Sequence, residues 1–135
     1  MLRSQVREEI FKILFRIPFV LEEEMDEQIA YSIEELGNKS EKNLNYIQDK
    51  AKAILAKLEE IDHCIEEACE GWNLKRIGKA EITIMRIAVY EMKYEETIPK
   101  NVAINEAIEL TKLYCDEEAK GFVNAVLGKV LTNIK

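Results

Sequence analysis

The segment Ala80-Glu-Ile-Thr-Ile-Met-Arg-Ile-Ala-Val-Tyr-Glu-Met92 decides the fold. Its apolar residues, Ile82, Ile84, Met85, Ile87, Ala88, Val89 and Met92, are interrupted only by Glu81, Thr83, Arg86, Tyr90 and Glu91. At helical spacing they run almost all the way round, and a helix apolar on every side belongs in the middle of a bundle. Arg86 in that setting needs an anionic partner, because a buried cation without one is strongly destabilising. Glu91, Glu106 and Glu109 are the expected partners.

Outward from this segment, period-two alternation is absent over any useful length while i, i+3, i+4 spacing recurs, so the chain reads as all-α. Pro18, Gly37, Gly71, Gly78, Pro99 and the Cys115-Asp116 step punctuate it. The spacing predicts helices near 3–16, 24–36, 40–58, 60–70, 79–94, 101–114 and 117–133, with 40–70 alternatively forming one long bent helix. The last helix carries a single stripe, Ala119, Val123, Val126, Leu127, Val130 and Ile134, suited to packing on the central one. These elements imply a compact bundle of about seven helices within a single domain, 1–135. Two small helical subdomains, about 1–71 and 72–135, are expected to share one core, with their boundary near Gly71 to Gly78.

A chain of 135 residues buries roughly two-thirds of its unfolded surface. Its apolar runs are far too short to cross a bilayer, and the N-terminus opens with Arg3 rather than an apolar signal core, so a cytoplasmic protein with no membrane partner is expected. Cys64, Cys69 and Cys115 are odd in number and contain no CxxC pair, as in a reducing compartment, and read as buried thiols. His63, Cys64 and Cys69 diverge around a helix, so no metal site is expected there. With no glycine-rich phosphate loop, no zinc-peptidase pattern and no nucleophile usefully spaced from His63, neither catalytic residues nor a cofactor are expected.

The net charge of -7 is unevenly spread. Residues 1–20 carry four basic and two acidic side chains, 21–70 carry five and fifteen, and 71–135 carry ten and nine. The acidic middle reads as a solvated helical face, so a polyanion would have to use the two ends.

In the first helix, Val6, Ile10, Ile13, Leu14 and Ile17 form the expected buried stripe, while Arg3, Arg7, Phe11 and Phe15 form an i+4 ridge on its flank. Guanidinium groups pair with phosphates, and aromatic rings accept stacked bases or a partner's apolar side chains. The ridge therefore suits single-stranded RNA, a protein, or both. Alternatively, Phe11 and Phe15 are core residues and the two arginines solvate the helix start. Phe122, at the edge of the last helix's stripe, reads either as a second aromatic anchor or as a rim residue of the core. Asn105 and Lys112 lie on the polar side of the sixth helix, as RNA contacts or plain surface.

Four features together resemble the NusB family of transcription antitermination proteins over essentially the whole chain. They are the basic first helix Arg3 to Phe15; the run Ile84-Met-Arg-Ile-Ala-Val-Tyr-Glu91; Pro99 followed by Val102-Ala-Ile-Asn-Glu-Ala-Ile-Glu-Leu110; and Phe122-Val-Asn124. The resemblance implies an all-α factor that binds the boxA element of ribosomal RNA transcripts together with NusE, a ribosomal protein, and loads a processivity complex on RNA polymerase. It maps phosphate contacts onto Arg3 and Arg7, an RNA-facing aromatic onto Phe122, and partner-facing residues onto Phe15 and Glu81, with Phe11 on the same ridge. Two departures stand out. The first helix carries Glu8 and Glu9 in place of a dense arginine cluster, and Asn124-Ala125 and Leu127-Gly128 stand where relatives often have Asn-Gly and Leu-Asp. The same fold serves as the RNA-binding domain of ribosomal RNA cytosine methyltransferases, whose chains would continue beyond a point such as Lys135. A protein-only helical adaptor is a third reading, and the Phe11 and Phe15 ridge could also support a homodimer.

Overall fold

The computed structural model describes residues 2–37, 39–70 and 73–134, which form seven α-helices and three short 3-10 turns and contain no strand. The chain divides into two compact units, Met1–Ala56 and Lys57–Lys135.

The first unit holds α1 (Arg3–Leu14), α2 (Met25–Leu36) and α3 (Glu41–Ala56), each packed on the other two. Helix α1 stops two residues earlier than expected because Pro18 restricts Ile17 and lacks a backbone donor. The chain turns instead through 3-10 segments at Ile17–Phe19 and Glu22–Glu24. Asp26 and Glu27 lie in the first turn of α2, where the positive end of the helix dipole favours them. That helix ends at Gly37, whose φ of 57° is a setting in which a Cβ is disfavoured. Ser40 Oγ accepts the Asn43 N–H at 3.2 Å and so starts α3. Val6, Ile10, Phe11, Ile13, Leu14, Met25, Ile29, Ile47, Ala51 and Ile54 make the core of this unit.

The second unit holds α4 (Leu58–Ala68), α5 (Lys79–Tyr94), α6 (Lys100–Tyr114) and α7 (Glu117–Asn133). Helix α5 packs against α4, α6 and α7, which is why it is buried nearly all round, from Ile82 through Met92. Its neighbours each contribute one stripe: Ile61 and Ile65 from α4, Ala103, Ala107 and Leu110 from α6, and Ala119, Val123, Val126, Leu127 and Val130 from α7. Two buried hydroxyls are satisfied within their own helices, Thr83 Oγ1 donating to the Lys79 carbonyl at 2.7 Å and Thr111 Oγ1 to the Ala107 carbonyl at 2.8 Å. Asp116 caps α7, accepting the Ala119 N–H at 3.0 Å.

Three expectations change. The boundary between units falls at Ala56 and Lys57 rather than near Gly71 to Gly78, because α4 packs on α5 and α7; Gly71 itself lies outside the described residues. The break between α3 and α4 is the single residue Lys57, not a position near Glu60, and residues 40–70 are not one helix. Arg86 pairs with Asp62 on α4 rather than with Glu91, Glu106 or Glu109, through two hydrogen bonds, Nε to Oδ1 at 2.8 Å and Nη2 to Oδ2 at 2.9 Å. Such a fork matches the planar guanidinium to both carboxylate oxygens.

Candidate RNA and partner surfaces

A row of residues four apart on a helix advances about 40° per step, so it drifts around the axis rather than keeping to one side. The row Arg3, Arg7, Phe11, Phe15 does this on α1. Arg3 is exposed on the first turn and has no ion-pair partner among the described residues. Arg7 and Phe11 pass through the core, with only 5% and 3% of their surface exposed. The buried face of α1 is therefore wider than the stripe expected, and takes in two members of the ridge. Phe11 is a core residue instead of a free contact, while Ile17, expected in the stripe, is half-exposed.

The row surfaces again at its far end. Phe15 is half-buried, its ring 5.7 Å from that of Phe11 and 5.6 Å from that of Phe19. Phe19 is 61% exposed, so the core aromatic Phe11 is continued outward by two further rings. The sequence reading missed Phe19, although the same i+4 interval pointed to it. Pro18 and Leu21 beside it are also exposed. The other cations of this segment are engaged: Lys12 on α1 with Glu9 at 3.4 Å and Glu8 at 4.0 Å, and Arg16 just beyond it with Ser32 Oγ and with the Gln28 carbonyl and side-chain oxygens at 3.4 and 3.3 Å.

In the second unit, Glu81 stands in the first turn of α5 and is half-buried. Cys115, just after α6, donates its thiol hydrogen to Glu81 Oε1 at 3.4 Å. Burial pushes the Cys115 thiol up to about 12, with the Glu81 charge and hydrogen bond adding to the shift. Spacing gave no hint of this contact, because the two residues lie on different helices. Phe122 is half-buried on α7, and Asn105 and Lys112 are exposed on α6, where Lys112 pairs with Glu109 at 3.2 Å. Within this unit, therefore, α6 and α7, which pack on each other, carry the three expected RNA contacts, and the start of α5 carries the acid.

His63 contacts Glu67 at 3.0 Å, and Cys64 accepts from Lys93 Nζ at 3.5 Å. Cys64 and Cys115 are half-buried and Cys69 is buried. Among the described residues no helix is long and apolar enough to cross a membrane.

The described residues are helical and carry exposed aromatic, cationic and acidic side chains on helix faces. The NusB family profile matches residues 4–132. The transcription antitermination protein NusB of Agathobacter rectalis is 43% identical over 129 residues, covering 96% of this chain and 98% of that protein. Its counterpart in Lachnoclostridium phytofermentans is 38% identical, covering 97% and 99%. Among solved structures, NusB of T. maritima matches with a TM-score of 0.89 at 30% identity, covering 98% of this chain and 92% of that one. A crystal structure of the antitermination factors NusB and NusE in complex with double-stranded RNA matches with a TM-score of 0.82 at 25% identity, covering 98% and 99%. The chain belongs to the NusB family of transcription antitermination proteins, a family of non-enzymatic factors.

Proposed function

We propose that this protein binds single-stranded boxA-type RNA of ribosomal RNA transcripts jointly with the ribosomal protein NusE, and so promotes processive transcription in the cytoplasm. The observation that carries this reading is the likeness, over 98% of the chain, to a NusB chain solved with NusE and RNA. The RNA in that complex is a duplex. Single-stranded RNA suits this reading better, because its aromatic RNA contact, the half-buried Phe122, could stack only on a base face that a duplex hides.

In this reading Arg3 holds a phosphate, with Phe122, Asn105 and Lys112 as further RNA contacts on α6 and α7. Arg7 supports α1 from inside, as its burial favours. Phe15 and Glu81 face the protein partner, an apolar contact and an ionic one. Phe11 backs Phe15 rather than touching the partner itself. Because the basic surface is modest, RNA affinity and sequence preference depend on the partner completing the site, which links the two binding events.

Fluorescence polarisation tests this with a boxA-type RNA, a scrambled strand and a duplex, each with and without NusE. Preference for the boxA-type strand, sharpened by NusE, is the expected result. Equal weak binding to all three in the presence of NusE would sink the proposal.

A further inference from the structure

Glu81 is the third residue of α5, a position from which a glutamate readily folds back over the start of its helix. Here one contact holds the folded-back carboxylate and the absence of a neighbouring side chain leaves room for it. Oε1 accepts the Cys115 thiol at 3.4 Å. Oε2 lies 2.5 Å, and Oε1 2.7 Å, from the point where a Cβ on residue 78 would stand, so the carboxylate occupies space that only Gly78 leaves open. We propose that Cys115 and Gly78 are positioning residues that preset the Glu81 carboxylate as an acceptor for a guanidinium or ammonium group of a protein partner. This rests on the reading of Glu81 as partner-facing.

The chemistry suits the role. A thiol is a weak donor, so it orients the carboxylate without neutralising it. The Cys115 thiol is a neutral donor at physiological pH, and its raised value keeps it one well into the alkaline range. The positive end of the α5 dipole favours the folded-back anion. A carboxylate already in place gives up less conformational freedom when a partner cation arrives, and preset geometry strengthens binding by that amount.

The experiment is calorimetric titration of the 135-residue chain with NusE, accompanied by a melting curve for each variant. Cys115→Ala should weaken binding by roughly three- to tenfold, the range of one hydrogen bond. Cys115→Ser, which restores a donor, should return to within about twofold of the parent. Gly78→Ala, whose methyl displaces the carboxylate, should weaken binding as much as Cys115→Ala does. In a Glu81→Gln background, Cys115→Ala should cause little additional loss, because its effect passes through the charge already removed. Full parental affinity in both Cys115→Ala and Gly78→Ala, with Glu81→Gln impaired, would overturn the positioning role alone. Full affinity in Glu81→Gln would overturn the partner-facing reading of Glu81. Equal losses from Cys115→Ala in both backgrounds would mark the cysteine as merely structural and also overturn the proposal.

Discussion

Arg3 and Arg7 sit one helical turn apart and stand in different media, the first in solvent and the second in the core of its unit. Arg3→Ala should therefore weaken RNA binding several-fold and leave the melting temperature unchanged, which polarisation and a thermal melt read separately. Arg7→Ala should instead lower stability by about 1–2 kcal/mol through lost packing of its stem, seen as an earlier urea midpoint. Cys115 makes a prediction about alkali. Its thiol is held at about 12 in the folded protein against an ordinary 9.0, so below pH 9 it is neutral in both folded and unfolded chains. As pH rises from about 9 to about 12 only the unfolded chain ionises there, and stability falls through that window. Cys69 is also pushed up by burial and contributes in the same direction. Urea melts between pH 8 and 11 should show a shallower decline for Cys115→Ser than for the parent; identical slopes would contradict the raised thiol. At this scale the sequence named candidate residues by type and helical spacing. Their environments were not legible, because an i+4 row keeps no fixed angle to a core whose width depends on what packs against it.

Helix existence was legible for all seven elements, because each carries at least one stripe at helical spacing, and end points moved by no more than two residues. The break at Lys57 was the hard case. The stripe Ile47, Ala51, Ile54 leads into Ile61 and Ile65 with a seven-residue step that an unbroken helix would also show, so periodicity alone carries no signal of the interruption. The identity of the partner of Arg86 was equally hidden, since Asp62 comes from another helix 24 residues away. That ion pair holds α4 on α5, and Arg86 Nη1 is enclosed with no hydrogen-bond acceptor among the described residues. Asp62→Ala should cost about 2–3 kcal/mol, below the figure for a fully buried pair because Asp62 keeps 25% of its side-chain surface. Adding Arg86→Met should recover part of that loss, because an apolar side chain needs no counter-charge inside α5. Denaturant midpoints of the two variants decide it; a double variant weaker than the single would mean the guanidinium contributes more than its charge pairing.

For the molecule as a whole, the charge distribution governs how RNA binding should respond to salt. With Arg3 and Lys112 the cations assigned to phosphates, the slope of log affinity against log salt should be about −0.7 per contact for only a few contacts. A slope equivalent to six or more contacts, measured by polarisation from low to moderate salt, would show that cations outside the assigned set bind the RNA. By itself the sequence determined the all-α class, the central place of Ala80 to Met92, the family, and the residue types from which any binding surface must be made. Helical periodicity and turn chemistry are local properties, carried by neighbours in the chain, and survive without knowledge of the fold. Tertiary structure alone decided that α4 belongs with α5 and α7, that Arg7 and Phe11 are interior, that Phe15 and Phe19 carry the aromatic row outward, and that Cys115 meets Glu81. Burial and the geometry of a hydrogen bond are set by helices brought together from distant parts of the chain, and no interval within one helix encodes them.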